Sequence, residues 1–482
     1  MRICVINTGG TISCVGQPLA PMPSVRFADA ARQVLGPALD AALPGMALHF
    51  DTGLHFDSGT GMLDSTDLRP SDWCRIARRV LERYADHDAF VILHGTDTMD
   101  YSGTALALLL NAPDALGLPR ACLSKPVILT GSQLPLFRER PDGLVLNAGS
   151  DALANLTGAL EVARLRLPEV GLFFDGRLLR GSRALKVSTS RFAAFDSPHL
   201  APLAERGIGV RMGAARPLPG PAAPELALDA PEARAMTLAR LDRIAARIDA
   251  QRIVQIPAVP ADHRASAPLL AQMVRAAVED GATGLVLEGF GAGNIPQGGG
   301  ALEQALRAAR VPVLIASRAV AGQVGAFDYA AGAWIAGTGA IAAGDMTPVA
   351  ALAKLMILNA DPDTPDLRAM LARSLAGECA APDRIEDALW PGQAISAADA
   401  PLRLENDPAH GPRLIREGAV LWQAPGPGRL EMRGDRLALI APDGAIGWHS
   451  APQPGGLPVL TAQGLLLVDP ARRAAPVVAL PG

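Results

Sequence analysis

The chain has 482 residues, 49% of them apolar, and 44 Lys and Arg against 48 Asp and Glu give it a net charge of −4. That length exceeds one ordinary core and predicts two or three domains. A mildly acidic chain without a Lys/Arg block suits neither nucleic acid nor an anionic membrane, and no apolar run reaches the roughly 18 residues that span a bilayer.

In chain order, the first strand is predicted at Arg2–Ile6, almost at the initial Met. That leaves no room for a signal peptide, so a cytoplasmic location is expected. The five cysteines (Cys4, Cys14, Cys74, Cys122 and Cys379) are scattered without metal-ligand spacing and read as reduced thiols. Further strands are predicted at Ala89–Leu93, Pro126–Leu129 and Glu169–Phe174. Between them, apolar residues at helical spacing predict helices over Asp72–Tyr84, Tyr101–Leu110 and Leu146–Arg164. The uninterrupted apolar runs in AFVILHG and KPVILTG are those of buried parallel strands. Ligands of such sheets bind beyond the carboxyl ends of the strands, so the polar residues there are the candidates for chemistry.

Residues 207–251 open with a short strand, pass through a Pro-rich stretch and continue as an Arg/Ala-rich helical stretch, together expected to form a surface linker. A second α/β pattern follows: strand RIVQIP, helix Pro268–Glu279, strand Gly284–Gly289, helix Ala301–Ala309, strand Val311–Ala316 and helix Thr347–Asn359. From about Pro382 no long helix is evident, and RLEMRGDRLALIAPDGAIGWHS reads as two strands joined by a PDG turn. The expected organisation is therefore α/β. A larger parallel-sheet domain over 1–206 carries the chemistry, 207–251 links it to a smaller α/β domain over 252–381, and an all-β module occupies 382–482.

Four segments carry residues suited to catalysis. INTGGTI, Ile6 to Ile12, ends the first strand, and its glycine pair allows a tight turn beside hydroxyls. Alone it also fits a turn with capping threonines, and it lacks the spacing of a phosphate or dinucleotide cradle. HGTDTMDYSG, His94 to Gly103, follows AFVIL directly, so Thr96 and Asp97 fall at a strand's carboxyl end. One such residue could simply cap the next helix, but two threonines, an aspartate and a glycine together exceed what a cap needs. His94 itself reads as a hydrogen-bonded structural histidine. MLDSTDL, Met62 to Leu68, offers Ser65 and Thr66 near a helix start, a fair carboxylate site or an ordinary capping segment. In LLRGSRALKVSTS, Lys186 stands between Leu185 and Val187. A partly buried ammonium there would pair with a carboxylate or activate a neighbouring hydroxyl, although a surface lysine is the default.

In this order and spacing the four segments resemble the L-asparaginase family, with TGGTI and HGTDTM as its two signature motifs. LDSTDLRPSDW, KPVILTGSQLPL, LFFDGRLLRG, GAGNIPQ and GDMTPVAALAKL extend the likeness to its cytoplasmic bacterial branch over roughly residues 1–380. The resemblance implies hydrolysis of L-asparagine to L-aspartate and ammonia, with Thr11 as nucleophile forming a β-aspartyl ester. It implies that Thr96, Asp97 and Lys186 form a hydroxyl–carboxylate–amine relay. Asp64, Ser65 and Thr66 would bind the substrate's α-groups, and Asn294 would stand near the site across a dimer. It further implies a homodimer or homotetramer acting on a free amino acid, with no cofactor and no metal.

The sequence departs from the family in places. The loop SCVGQPLAPMPS has Leu19 where the family carries a tyrosine that contacts the nucleophile, and no tyrosine precedes Tyr84. Gln323 replaces a glutamate of the secreted relatives. Leu185 and Glu288 replace the threonine and arginine of branch members regulated by asparagine, so that regulation is not expected. Alternatives within reach are a glutaminase-asparaginase, a transfer-RNA-dependent amidase subunit and an inactive asparagine sensor. The last module faintly resembles a bulb-lectin repeat without its Gln, Asn and Tyr, and a structural or oligomerisation role is expected.

Overall fold

The computed structural model describes residues 1–261, 268–325, 327, 331–380, 383–385, 388–397, 400–469 and 473–479. The expected boundary between residues 381 and 382 lies outside them. The chain divides into two compact units, Met1–Leu367 with Leu375–Glu378, and Arg368–Ser374 with the chain from Cys379 onward.

The larger unit is built on Arg2–Asn7 (β1), Ala47–Asp51 (β2), Ala89–Leu93 (β3), Val127–Thr130 (β4), Val170–Phe174 (β5), Arg177–Arg180 (β6), Ala204–Arg206 (β7) and Val210–Met212 (β8). They form one sheet in the order β2-β1-β3-β4-β5-β6-β7-β8. Strands β1 to β5 run parallel, and β6 to β8 extend the edge antiparallel. Alternate residues of the central strands serve two cores. Cys4, Ile6, Phe90 and Ile92 face one, and Ile3, Val5, Val91 and Leu93 face the other. Burial on both faces is why these strands read as unbroken apolar runs.

Helices Pro70–Arg83 (α1) and Met99–Leu109 (α2) cover the first face, and Ala152–Val162 (α3) covers the second. Pro70 and the Asp72 carboxylate start α1, the latter accepting the Arg69 N–H at 2.9 Å. The helix expected over residues 146–164 begins only at Ala152. Leu146 ends a strand, Gly143–Leu146, paired with Phe137–Arg140. The Asp151 carboxylate then closes the turn by accepting the Gln133 and Leu134 N–H groups.

The stretch 207–251 contains the expected strand and helix, but the helix packs into the core rather than lying on the surface as a linker. It holds helix Pro231–Ala245 (α4), whose Leu241 and Ile244 join the core with Trp73 and Ile76 of α1. Arg240, also buried, is paired with Asp361 at 2.8 Å and donates to the Leu108 and Asn111 carbonyls. Beyond it, Ile253–Pro257 (β9), Gly284–Gly289 (β10), Val313–Ser317 (β11) and Ile341–Ala342 (β12) form a smaller, wholly parallel sheet. Leu269–Glu279 (α5) and Ala301–Ala308 (α6) pack on it. Pro348–Ala360 (α7), whose cap Thr347 accepts the Ala350 N–H, also lies against α2.

The second unit is all-β beyond residue 383, with three antiparallel sheets sharing a core of Leu389, Leu404, Leu414, Leu430, Leu439 and Leu467 among others. The segment read as two strands and a PDG turn forms three, Arg429–Arg433, Arg436–Ile440 and Ile446–His449. The Gly434–Asp435 turn adds the first hairpin. No helix among the described residues is long and apolar enough to cross a membrane.

Candidate active site

After β1 the chain leaves to β2 on one side, and after β3 to β4 on the other, so the connections diverge between β1 and β3. A crevice opens at such a point beyond the carboxyl ends of the strands. β1 and β3 are in register to Asn7 opposite Leu93, which brings TGGTI and HGTDTM side by side.

Two glycines allow this approach. Gly9 and Gly10 have φ of 118° and 73°. A Cβ on Gly9 would lie 2.0 Å from the Leu63 carbonyl oxygen, and one on Gly10 would lie 2.3 Å from the Gly95 Cα. The Gly10 N–H donates to the Leu63 carbonyl at 2.8 Å, and the Leu63 N–H to the Thr8 carbonyl at 2.9 Å. Thr11 then opens a single 3-10 turn, Thr11–Ser13, and is half-buried. Among the described residues nothing hydrogen-bonds to its side chain.

Lys186 joins the group from a two-residue strand that follows a 3-10 turn over Gly181–Arg183. Its ammonium donates to Thr96 Oγ1 at 2.8 Å and to Asp97 Oδ1 at 2.6 Å. Its side chain is 14% exposed and that of Asp97 is 60% exposed, so the pair sits at a boundary open to a ligand from the Asp97 side. Thr66 Oγ1 donates to the other Asp97 oxygen at 3.4 Å. Asp64 Oδ1 accepts the Thr66 N–H at 3.0 Å, capping the turn that presents Ser65 and Thr66. The buried Ser65 accepts the Thr98 hydroxyl on its carbonyl at 2.9 Å. Thr96, Asp97, Lys186, Asp64, Ser65 and Thr66 are thereby held in one connected cluster. Asn294 is not hydrogen-bonded to it. It lies in a tight loop of the smaller sheet, where its N–H donates to the Phe290 carbonyl at 2.9 Å.

Below the cluster runs a directed chain of hydrogen bonds. Trp73 Nε1–H donates to Ser102 Oγ at 3.0 Å, and Ser102 Oγ lies 2.9 Å from His94 Nε2. His94 Nδ1 lies 2.7 Å from the Gly95 carbonyl, which can only accept. The hydroxyl must therefore donate to Nε2, and the imidazole carries its single proton on Nδ1. Burial agrees, pushing the His94 pKa down to about 4. His94 thus orients the peptide that leads into Thr96.

Two residues of this cluster escaped the sequence reading. Ser102 and Asp100 both look like ordinary first-turn residues of α2, and only their partners reveal them. Asp100 is buried and accepts the Lys186 N–H. The available signal was a carboxylate in the first turn of a helix whose later part, ALALL, is apolar. Leu19 is 57% exposed on the loop after Thr11. Leu185 and Glu288 both line a cavity of about 230 Å³, in which Gln255 donates to Glu288 at 2.6 Å. Among the described residues no group of three His, Cys, Asp or Glu side chains is placed to hold a metal ion.

The family model described as "Asparaginase, N-terminal" matches residues 2–217, and that described as "Glutaminase/Asparaginase C-terminal domain" matches residues 264–371. L-asparaginase 1 of Escherichia coli (strain K12) is 35% identical over 66% of this chain and 82% of its own length. A 60 kDa lysophospholipase of Mus musculus is 31% identical over 70% of this chain, which spans 58% of that protein. The crystal structure of L-asparaginase I from Vibrio cholerae superposes with a TM-score of 0.58 at 29% identity, covering 79% of this chain and 99% of that one.

Proposed function

The chain belongs to the asparaginase family of amidohydrolases, and from that premise we propose that it hydrolyses L-asparagine to L-aspartate and ammonia. The observation that carries this reading is the Lys186 ammonium bonded to both Thr96 and Asp97 at the crevice between β1 and β3. In the proposed reaction Thr11 Oγ attacks the side-chain carbonyl carbon, and the C–N bond breaks. The amide nitrogen leaves as ammonia with the proton of the Thr11 hydroxyl. Water then adds to the β-aspartyl ester, its proton returning to Thr11 Oγ as L-aspartate departs.

Lys186 lowers the cost of taking a proton from Thr96 or a water by holding charge beside the oxygen. Asp97, Asp64, Ser65 and Thr66 receive the α-amine and α-carboxylate, which selects a free amino acid. By the family resemblance Asn294 would serve the site of another copy of the chain, so a homodimer or homotetramer is part of the proposal. Glu288 would repel a carboxylate in the cavity it lines, which argues against regulation there by asparagine. Five buried, scattered cysteines suit a reducing compartment, the cytoplasm. The module beyond residue 383 is assigned a structural or assembly role.

The test is ammonia release from L-Asn, L-Gln and D-Asn by the full chain and by Thr11→Ala and Thr96→Ala. L-Asn turned over well above L-Gln, and lost in both variants, is the expected result. Equal turnover of L-Gln would make the protein a glutaminase-asparaginase. A second reading, an asparagine sensor, is favoured by the exposed Leu19 in place of a hydroxyl beside Thr11. Saturable asparagine binding without ammonia would establish it and overturn hydrolysis.

A further inference from the structure

We propose that Asp100 is a positioning residue whose buried carboxylate anchors the main chain of Lys186, so that the amine meets Thr96 and Asp97. This rests on the reading of Lys186 as the amine of the site.

Asp100 is 4% exposed and stands in the first turn of α2. Its Oδ2 accepts the Lys186 N–H at 3.0 Å and its Oδ1 accepts the Tyr101 N–H at 3.1 Å. Lys186 is thus gripped twice by residues three apart in sequence: Asp97 holds the ammonium, and Asp100 holds the root of the side chain.

The grip matters because little regular structure holds Lys186. Its strand is two residues long and, among the described residues, pairs only with Phe195–Asp196. The preceding turn is tied down from elsewhere, Ser182 Oγ donating to the Ala376 carbonyl at 3.1 Å and Arg183 Nε to the Gly377 carbonyl at 2.7 Å. The following loop is met by the Gln133 amide, 3.2 Å from the Arg191 carbonyl. A lysine stem has four rotatable carbons, and an amine displaced by about 1 Å can lose about a hundredfold in rate.

A buried carboxylate is also a costly group to place in a first helical turn. Removing it from water carries a large desolvation cost that its hydrogen-bond partners must offset. Burial accordingly raises the Asp100 pKa, while the N–H donors of Lys186 and Tyr101 and the Lys186 charge oppose that rise. A serine in the same turn could accept one N–H without this cost. The Lys186 N–H, which reaches the second oxygen, is what a serine would leave behind.

The test measures kcat and KM for L-asparagine, the Kd for L-aspartate by calorimetry and Tm, in the full chain with Asp100→Asn, Asp100→Ser and Lys186→Met. Either Asp100 variant is expected to lower kcat about 10–100-fold. KM and the L-aspartate Kd should stay within about threefold, because the anchor acts on the amine and not on the substrate's α-groups. A folded Asp100→Asn with kcat within about twofold of the parent overturns the proposal, as does a KM that rises as far as kcat falls. If Asp100→Asn does not fold, Asp100→Ser decides by the same criteria. Failure of both to fold makes Asp100 a purely structural residue and also overturns it. Lys186→Met that retains the parent kcat overturns the reading of the site itself. Loss of activity in Lys186→Met beside an active Asp100→Asn overturns the anchor alone.

Discussion

A Cβ placed on Gly10 would stand 2.3 Å from the Cα of Gly95, so the two signature turns touch backbone to backbone. Gly10 also has a φ of 73°, which side chains rarely adopt. Gly10→Ala would therefore both strain its own backbone and push Thr11 away from Thr96. A loss of about 2–4 kcal/mol in unfolding free energy is expected, the sum of strain and overpacking. Turnover should fall at least about a hundredfold in the molecules that remain folded. Denaturant unfolding and single-temperature kinetics would check this, and unchanged turnover would refute it.

Lys186→Met should separate chemistry from stability. The ammonium has Thr96 and Asp97 as partners, and Asp97 is 60% exposed, so the ion pair is screened and contributes little to folding. Loss of about 10³-fold or more in kcat is expected from removing the amine, with less than about 1 kcal/mol change in stability. A large fall in Tm with kcat preserved per folded molecule would show that the lysine is structural.

The Trp73–Ser102–His94 chain predicts a distal effect. Ser102→Ala leaves the buried Trp73 N–H and His94 Nε2 without a partner, at a cost of about 1–3 kcal/mol. Because His94 orients the Gly95–Thr96 peptide, kcat should fall with it, by about tenfold. If Ser102→Ala is as stable and as active as the parent, the chain has no positioning role.

His94 also sets a pH dependence. Its pKa is near 4 when folded, below the ordinary histidine value of about 6.5, so between these limits the unfolded chain binds the extra proton. Protonation therefore favours unfolding as pH falls through about 6.5, and the effect levels off below about 4. This single group should remove about 2 kcal/mol of stability between pH 7 and pH 5. His94→Gln is expected to flatten that slope, which unfolding curves at the two pH values would show. An equally steep slope in the variant would assign it to other groups.

Asp361→Ala tests whether residues 231–245 are integral to the fold. It would leave the Arg240 guanidinium buried without its carboxylate, which costs about 3–5 kcal/mol. Activity per folded molecule should not change, since neither residue touches the Thr96 cluster. A loss below about 1 kcal/mol would mean that α4 can detach, as a linker would.

Much of the fold was legible along the chain. β1 and β3 appeared as apolar runs because burial on both faces leaves no alternation to misread, and β3 spans the predicted Ala89–Leu93. The strand Ala47–Asp51 was not anticipated, because at the edge of the sheet only Phe50 and Asp51 are buried. The helical character of α4 is legible in its Arg/Ala-rich stretch, but its packing is not, because its apolar residues Leu241 and Ile244 gain meaning only against the facing α1.

The same division holds at the candidate site. Sequence determined the local chemistry: which hydroxyls, carboxylates and amine lie at strand ends, and which glycines allow a turn there. Those properties depend on neighbours in the chain and on a period of two or 3.6 residues. Tertiary structure decided the partnerships, because Lys186 meets Thr96 across 90 residues and Thr66 meets Asp97 across 31. It also revealed Asp100 and Ser102, whose roles exist only through the Lys186 N–H and the His94 ring. Hydrogen bonds between distant segments leave no periodic trace in a single sequence, since they are fixed by how the strands and turns stack.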